Sequence, residues 1–500
     1  MKQTLLALLA FVVVGTCAKA QVPEVKYPFR DKTLPVAQRV DDLIGRMTLD
    51  EKISLLAGYK DFYLHPCERL GIPAFRMADG PLGVASWGLW GRATAFPSAL
   101  SLASSWNREL AFNTGKMYAD EWRARGLHFM LAPGVNIYRS SKSARNFEYY
   151  GEDPYLTSQM VVPFIKAVQQ GGVIATVKHF VGNEQEYDRY NVSTEVDDRT
   201  LHEIYLPPFK AAVQQAGVKA VMTGYNLVNG VHCTENKPII DILKNDWGFK
   251  GMLMSDWACT YSADKAANNG LDLEMGSCSW FNHAQLLPLI KSGVVSEETI
   301  NDKVRRIYGA CIEMGFFDRP QKLDTIPLFT PQASTTALKV AEEGIILLKN
   351  DGTLPLKSPR SIAVIGPTAN PAIINDRAFN TNGIVYGGGG SSRVHPWRVV
   401  NDLEGISNVF SDATVYYSEG ISNQFKRNLF ANSLFVNEKG ERGLQARYYS
   451  IKGDSTNIFN VELLNLQAKA AGRDANATNS GTRSANRVTG QTAMERVDRN

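Results

Sequence analysis

The sequence predicts an α/β protein that begins with a TIM-like (β/α)8 barrel. Short apolar runs typical of strands alternate with longer helical patterns from about residue 31 to residue 317. This stretch is close to the ~250 residues that such barrels usually need. Most of the strand-like runs end in polar side chains, as expected where parallel strands meet at one face. A doubly wound sheet would also place polar groups there, so the pattern leaves closure of the barrel open.

The individual elements follow from periodicity. Helical spacing of apolar residues covers 40–56, 201–216 and 297–314, and Thr48 with Glu51 has the spacing of a capping box inside the first of these. Six apolar runs read as buried strands, and they cover 74–77, 128–131, 173–177, 219–222, 251–254 and 271–274. Residues 318–320 (Asp-Arg-Pro) end the last helix of this region.

A second α/β unit follows the predicted barrel. Residues 333–348 have helical spacing, 361–366 read as a buried strand, and 415–417 read as another strand. The glycine-rich loop at 387–393 lacks the Lys-Ser/Thr ending of a phosphate loop, which argues against nucleotide binding. Further strands are predicted at 443–449 and 459–466. After residue 468 large apolar side chains are nearly absent, which predicts disorder.

The N-terminus predicts export from the cytoplasm. Lys2 precedes an apolar stretch over 5–15, and Ala18-Lys19-Ala20 supplies small residues for cleavage before Gln21. We therefore expect a periplasmic or secreted protein. No later stretch is long and apolar enough to predict a membrane span. The net charge of +4 is small and no basic run is dense, so a nucleic-acid partner is not expected.

The cysteines and histidines do not predict a metal site. Outside the signal segment the five cysteines form no CxxC pairs, and the seven histidines are scattered. We expect buried free thiols with at most one disulfide, and no metal ion or organic cofactor.

Asp256 is the leading candidate for a catalytic group. It follows a strand-like run and Ser255, and Trp257 comes directly after it. Glycoside hydrolysis requires two carboxyl groups around the scissile bond, and an indole beside one of them can stack on a sugar ring. The alternative is that Asp256 only caps a helix at a strand–helix turn.

Other polar residues at strand ends also have two interpretations. Lys178 and His179 could donate to sugar hydroxyls, or be a surface lysine and a structural histidine. Asp79 could accept hydroxyl hydrogen bonds, or belong to an Asp-Gly-Pro turn. Arg145 and Arg189 could be fork-shaped donors to hydroxyls or carboxylates, or solvated loop residues.

The joint arrangement of motifs resembles glycoside hydrolase family 3, and within it the β-glucosidase branch. The resemblance extends from about residue 31 to residue 420. The motifs that carry it occur in order: Asp79-Gly80-Pro81-Leu82-Gly83-Val84, Leu131-Ala132-Pro133-Gly134-Val135-Asn136, Arg145-Asn146-Phe147-Glu148, Gly151-Glu152-Asp153-Pro154, Lys178-His179-Phe180, Met222-Thr223-Gly224-Tyr225-Asn226, Ser255-Asp256-Trp257, Leu347-Leu348-Lys349-Asn350 and the 387–393 loop.

The resemblance implies a retaining exo-β-glucosidase in which Asp256 is the nucleophile. The substrate would be a β-glucoside or an oligosaccharide with a terminal β-D-glucosyl residue. It further implies that Met222 and Trp257 form walls of the sugar subsite, and that the remaining subsite residues bind the sugar: Asp79, Arg145, Lys178, His179, Arg189 and Tyr225. β-Xylosidase or arabinofuranosidase activity stays open, and the sequence indicates no oligomeric state.

The resemblance also implies domain limits. They are 1–20 for the signal peptide, 21–318 for the barrel, 319–435 for a partial α/β sandwich, 436–467 for the start of a PA14-like β insert, and 468–500 for a disordered tail. In the family the general acid/base is a Glu that follows such an insert, and neither Glu404 nor Glu419 lies in the expected motif. We therefore expect a C-terminally truncated chain that cleaves aryl glucosides with good leaving groups slowly and natural disaccharides hardly at all, or an impaired fragment that binds sugar without catalysis.

Overall fold

The structure, a computed structural model, describes residues 27–85, 89–276, 278–366, 368–370, 374–376, 381–383, 390–418, 420, 446–452, 462–464 and 491–497. The predicted signal peptide lies outside these residues. The described residues fall into two compact units. The first extends to Arg360 and also includes Pro371–Ala413, and the second comprises Ser361–Asn370 and the residues from Thr414 onward.

The α-helices are α1 (Val36–Arg46), α2 (Leu49–Leu55), α3 (Ala99–Ser104), α4 (Arg108–Arg125), α5 (Pro154–Gln170), α6 (Asp198–Thr200), α7 (Pro207–Gln214), α8 (Lys237–Asp241), α9 (Asp264–Asn269), α10 (His283–Lys291), α11 (Glu297–Glu313), α12 (Pro331–Gly344) and α13 (Asp402–Val409). Short 3-10 turns cover Pro28–Arg30, Glu68–Leu70, Asn146–Glu148 and Gly390–Ser392, and π-helical turns cover Leu201–Tyr205 and Ile242–Asp246.

The strands are β1 (Gly58–Tyr59), β2 (Tyr63–Leu64), β3 (Met77–Asp79), β4 (Phe129–Leu131), β5 (Ile174–Phe180), β6 (Ser193–Thr194), β7 (Ala220–Thr223), β8 (Leu227–Val228), β9 (Val231–His232), β10 (Met252–Trp257), β11 (Leu273–Met275), β12 (Ser361–Ile365), β13 (Ile374–Asp376), β14 (Thr381–Gly383), β15 (Thr414–Ser418), β16 (Ala446–Lys452), β17 (Glu462–Leu464) and β18 (Gln491–Val497).

A parallel sheet of six strands forms the centre of the first unit. Its strand order is β11-β10-β7-β5-β4-β3, and each neighbouring pair is parallel. The order follows the chain without reversal, which is the winding of a barrel rather than of a doubly wound sheet with a switch point. A strand overlaps each of the six predicted runs, so these predictions are confirmed. The strand side chains are almost all buried, as expected for a parallel sheet covered by helices.

The predicted set of eight parallel strand–helix units is corrected by the structure. Ala57 forms a parallel bridge with Glu274 at one sheet edge, β1 pairs with β2 in antiparallel fashion, and Tyr63 forms an antiparallel bridge with Arg76 near the other edge. A short antiparallel hairpin therefore lies between the two edge strands. Only residues 60–62 join β1 to β2, whereas a parallel crossover needs about a dozen residues. The confirmed fold class is an α/β fold with a curled parallel sheet.

Local helix signals are confirmed where the sequence carries caps. The periodic stretch over 40–56 divides into α1 and α2, because Thr48 forms a capping box with Glu51 at the start of α2. The stretch over 297–314 becomes α11, which begins after the cap Ser296. The 201–216 stretch begins with a π-helical turn and continues as α7.

Residues beyond the predicted barrel limit at 318 also belong to the first unit. Helix α12 buries Ala333 and Val340 in the same hydrophobic core, and Asn107 Nδ2 donates a hydrogen bond of 2.8 Å to Glu343 Oε2. Ala93 N–H donates to the carbonyl of His395 at 2.9 Å. These contacts hold 331–344 and the segment that follows the glycine-rich loop in this unit.

The second unit contains two sheets. Strands β12 and β15 pair in parallel from Ser361–Thr414 to Ile365–Ser418, and they confirm the predicted strands at 361–366 and 415–417. Strands β17, β16 and β18 form an antiparallel sheet, and the first two overlap the predicted strands at 459–466 and 443–449. Strand β18 pairs with β16 from Gln491–Lys452 to Val497–Ala446, and the disorder predicted for 468–500 stays a prediction, since most of that range lies outside the described residues. The PA14-like insert stays a prediction, since most of 421–490 lies outside the described residues.

Candidate active site

Asp256 lies near the carboxyl end of β10, the strand next to the edge strand β11, and is buried. The Tyr225 hydroxyl, from the loop after β7, donates a 2.7 Å hydrogen bond to Asp256 Oδ1, and the Trp257 N–H donates to the same oxygen at 2.7 Å. The other oxygen, Oδ2, lies 3.3 Å from His179 Nε2. One carboxylate oxygen is thus fixed by two donors, while the second faces the histidine.

Lys178 and His179 lie near the carboxyl end of β5, which β7 separates from β10, and both are buried. Adjacent residues of a regular strand point to opposite faces, yet Lys178 Nζ lies 3.3 Å from Glu148 Oε1 while His179 faces Asp256. The pairing of β5 with β7 shifts register between Val177 and Phe180. An irregularity of this kind re-aims side chains, and here it brings two consecutive residues into one cluster.

A buried ion pair adjoins Lys178. Arg145 binds Glu148 through two parallel hydrogen bonds, Nε to Oε2 at 2.7 Å and Nη2 to Oε1 at 2.8 Å. The Ser391 hydroxyl donates to Glu148 Oε1 at 3.2 Å. The side chain of Glu148 is fully buried, and the two neighbouring cations, Arg145 and Lys178, outweigh the burial and lower the pKa of Glu148 to about 2. Glu148 is therefore ionised and neutralises part of this positive charge.

Arg189 connects a second carboxylate to the ring of Tyr225. Its guanidinium carbon lies 3.7 Å from the centre of the Tyr225 ring, and its Nη1 donates to Glu186 Oε2 at 2.7 Å. Glu186 Oε1 lies 3.6 Å from Arg145 Nη1. The arginines and carboxylates thus alternate in one network, which fixes the guanidinium of Arg189 against the tyrosine that binds Asp256.

Asp79 ends strand β3 and is buried. Burial raises the pKa of this carboxyl to about 6, with Lys178 and Arg145 opposing the rise and Glu148 and Asp256 adding to it. These mutual influences place Asp79 in the same electrostatic environment as the groups described above. A carboxyl with this pKa is mostly ionised at neutral pH.

Burial also shifts the pKa values of the two central groups. It raises the pKa of Asp256, against the opposing effects of Arg145, Lys178 and the hydrogen bond from Tyr225. It lowers the pKa of His179 well below its ordinary value, and the nearby cations Arg145, Lys178 and Arg189 lower it further. His179 is therefore neutral at physiological pH.

The two predicted wall residues differ in their surroundings. Trp257 is half-buried, and the centre of its ring lies 5.2 Å from the centre of the Phe62 ring. Gly276 packs against the indole so closely that a Cβ at position 276 would lie 2.8 Å from it. Met222 is buried within β7, opposite Met254 in the register of β10. The role of either residue in binding sugar stays a prediction.

Taken together, the cluster contains a fixed, buried carboxylate, a neutral histidine and several hydrogen-bond donors at the carboxyl ends of four parallel strands. Such a set can bind a polyhydroxylated ring and attack an electrophilic carbon within it.

Among the described residues no group of three or more His, Cys, Asp or Glu side chains could hold a metal ion. The cysteines at positions 67, 233, 259, 278 and 311 are free thiols, so the predicted optional disulfide is not formed.

Comparison with known proteins identifies the family. The sequence profile described as "Glycosyl hydrolase family 3 N terminal domain" matches residues 49–310, which is more than half of the chain. The chain belongs to glycosyl hydrolase family 3. The profile "Glycosyl hydrolase family 3 C-terminal domain" also matches, over residues 345–500.

Similar family 3 proteins are β-glucosidases. A β-glucosidase of Rhizobium radiobacter is 39% identical over 416 residues, covering 82% of this chain and 49% of the relative, and one of Bacteroides ovatus is 38% identical over 441 residues, covering 83% and 58%. The structure of the Kluyveromyces marxianus β-glucosidase in complex with glucose matches with a TM-score of 0.69 and 33% identity, covering 85% of this chain and 52% of that one. The Thermotoga neapolitana β-glucosidase 3B in complex with glucose gives 0.67 and 33%, covering 75% and 55%. The chain spans about half the length of the curated relatives it matches.

The structure gathers most of the predicted site residues of this family 3 chain. Asp256, Tyr225 and His179 are in direct contact, and Lys178, Arg145 and Arg189 join them through carboxylates. Four further residues of the cluster were not among the predicted site residues: Asn136, Glu148, Tyr149 and Glu186. The Arg-x-x-Glu spacing at 145–148 and the Glu-x-x-Arg spacing at 186–189 were usable signals for ion pairs, whereas nothing in the local sequence places Tyr149 beside His179.

No helix among the described residues is long and apolar enough to cross a bilayer.

Of the two glutamates considered for acid catalysis, Glu404 lies in the first turn of α13, with Oε1 3.6 Å from Arg398 Nη2. Glu419 lies outside the described residues.

Proposed function

We propose that this family 3 protein is a retaining exo-β-glucosidase that removes terminal non-reducing β-D-glucosyl residues. The observation that carries the proposal is the state of Asp256. Its Oδ1 accepts two 2.7 Å hydrogen bonds that fix the carboxylate, and its Oδ2 is left to face the histidine rather than a fixed cation. A nucleophile needs this combination of rigidity and one reactive oxygen.

In the proposed first step Asp256 Oδ2 forms a bond to the anomeric carbon. The bond from that carbon to the aglycone oxygen breaks, and its electron pair leaves with the aglycone. In the second step water attacks the same carbon, the bond to Asp256 breaks, and the water proton passes to solvent or a base. Aglycones that leave as stable anions need no proton from the protein, so they suit the test of this nucleophile.

The remaining polar residues are proposed to bind the sugar in the −1 subsite. Lys178, His179 and Arg145 can donate to hydroxyls, and Asp79 can accept from them. Trp257 is proposed to stack on an apolar face of the bound ring. Export to the periplasm or the medium is part of the proposal and rests on the N-terminal sequence alone.

The test is covalent trapping. The 500-residue chain is incubated with 2,4-dinitrophenyl 2-deoxy-2-fluoro-β-D-glucoside, digested, and analysed by mass spectrometry. We expect one fluoroglucosyl group on the peptide that contains Asp256, no label in Asp256→Asn, and normal label in Asp324→Asn, which changes an exposed carboxylate. Label on another carboxylate would overturn the assignment.

Two further measurements, of glucose binding and of nitrophenol release, separate the alternatives. Saturable binding of glucose without any label would identify a sugar-binding protein impaired in catalysis. Faster release of nitrophenol from the aryl β-xyloside than from the aryl β-glucoside would identify a β-xylosidase in place of a β-glucosidase.

A further inference from the structure

His179 is held by its backbone as well as by its ring. Asn136 Oδ1 accepts the His179 N–H at 2.8 Å, and Asn136 Nδ2 donates to the His179 carbonyl at 3.0 Å. This two-point pairing fixes the orientation of the Asn136 amide, because reversing it would set donor against donor and acceptor against acceptor. Asn136 Oδ1 can therefore only act as a hydrogen-bond acceptor.

The ring nitrogen Nδ1 of His179 has two neighbours that favour opposite tautomers. Asn136 Oδ1, at 3.3 Å, could accept a hydrogen bond from a protonated Nδ1. The Tyr149 hydroxyl, at 3.1 Å, could instead donate a hydrogen bond to an unprotonated Nδ1. A neutral imidazole carries a single proton, so only one of these bonds can form at a time. The choice decides whether Nε2 is a donor or an acceptor.

The surroundings of Tyr149 favour donation to Nδ1. Asn183 Nδ2 donates to the Tyr149 hydroxyl oxygen at 3.5 Å, so this oxygen accepts from the amide, and the imidazole Nδ1 at 3.1 Å is an acceptor that its own proton can reach. The tyrosine is buried, its ring lies edge-on to the imidazole, and burial raises its pKa well above the ordinary value. Tyr149 therefore keeps its proton and can act as a hydrogen-bond donor.

The opposite side of the ring favours the same tautomer. His179 Nε2 is buried, has no hydrogen-bond partner among the described residues, and lies 3.3 Å from Asp256 Oδ2. A lone pair at Nε2 would face a carboxylate oxygen, which is repulsive, whereas an N–H there is attracted to it. Proton placement on Nε2 is thus favoured from both ends of the imidazole.

We propose that Tyr149 is a positioning residue that holds His179 in the tautomer with the proton on Nε2. In this state Nε2 presents a donor beside the Asp256 oxygen that is free to attack, where it can bind the ring hydroxyl next to the anomeric carbon. The catalytic role of that donor rests on the proposed glucosidase function. The tautomer itself follows from the contacts of Tyr149, Asn136 and Asp256 and does not depend on the substrate.

The tautomer can be read directly by long-range ¹H–¹⁵N NMR of the 500-residue chain labelled with ¹⁵N-histidine. His179→Gln identifies the His179 signals. We expect an unprotonated Nδ1 and a protonated Nε2 in the wild type at neutral pH. In Tyr149→Phe the protonated Nδ1 form should appear, because Nδ1 can then donate to Asn136. Tyr150→Phe removes a hydroxyl from an adjacent, equally buried tyrosine and should leave the spectrum unchanged.

Kinetics complete the test. With an activated aryl β-glucoside, Tyr149→Phe should lower kcat/KM by roughly 10-fold, and Tyr150→Phe should not. An unchanged His179 tautomer in Tyr149→Phe, or a protonated Nδ1 in the wild type, would overturn the inference. A Tyr149-dependent tautomer in a protein that neither cleaves nor is labelled by glucosides would instead refute the proposed function and leave the inference standing.

Discussion

Replacing Tyr225 by Phe tests the electrostatic account of the proposed nucleophile. The substitution removes the 2.7 Å hydrogen bond to Asp256 Oδ1 and keeps an aromatic ring beneath the Arg189 guanidinium. The Trp257 N–H continues to donate to the same oxygen. The change is therefore confined mainly to the charge stabilisation of one carboxylate.

The size of the effect follows from that hydrogen bond. A bond to a charged group contributes ~1.5–3 kcal/mol, and one pKa unit corresponds to ~1.36 kcal/mol, so the pKa of Asp256 should rise by about 1–2 units. Burial already raises this pKa, and the Tyr225 bond opposes that rise. Because the carboxylate must be ionised to attack, a higher pKa means that activity is lost at a higher pH on the acid side.

The assay is the pH dependence of kcat/KM for an activated aryl β-glucoside, which reports the pKa values of the free enzyme. The acid limb of Tyr225→Phe should lie about 1–2 pH units above that of the wild type. Tyr190→Phe is the matched control, since its ring lies 5.1 Å from that of Tyr225 and its hydroxyl does not bind Asp256. An unmoved limb, or an equal shift in the control, would refute the reasoning.

Three further predictions concern stability and processing. Glu148→Gln removes the carboxylate that two buried cations share, and only Arg145 keeps another, Glu186 at 3.6 Å, so the free energy of unfolding should fall by ~3–5 kcal/mol. Glu298→Gln, at an exposed ion pair, should change it by less than ~1 kcal/mol in urea titrations. Burial lowers the pKa of Lys303 to about 7, so between pH 7 and its ordinary value of 10.5 the unfolded chain binds the extra proton and the contribution of this lysine to stability should rise with pH. Lys303→Met should flatten that rise in thermal melts, and an equally steep rise would contradict the assignment. The exported protein should begin at Gln21 by intact mass, and a retained N-terminus would exclude cleavage there.

Several features of the fold could be predicted because they depend on local sequence. An apolar run such as 173–177 reads as a buried strand whatever its neighbours are, and the capping box of Thr48 and Glu51 needs only a spacing of three residues. The order of these signals along the chain predicted parallel strands, and the ordered motifs identified the family and placed Asp256 at a strand end.

The remaining features depend on contacts between distant segments. The sequence could not show that Lys178 and His179 point into one cluster, because the register shift that re-aims them arises from pairing with β7. Nor could it show the partner of Glu148 beyond Arg145, or the contact of Tyr149 with His179, since each joins residues that are tens of positions apart.

The sequence by itself thus determined the six strands of the parallel sheet, the capping box of Thr48 and Glu51, the family and the identity of the candidate nucleophile. Only the tertiary structure decided the antiparallel hairpin between the sheet edges, the alternating ion pairs and the environment of each titrating group. The physical reason is that secondary structure and motifs follow from residues close together in the chain. Burial and electrostatic interaction, in contrast, depend on distances in space that the folded backbone sets.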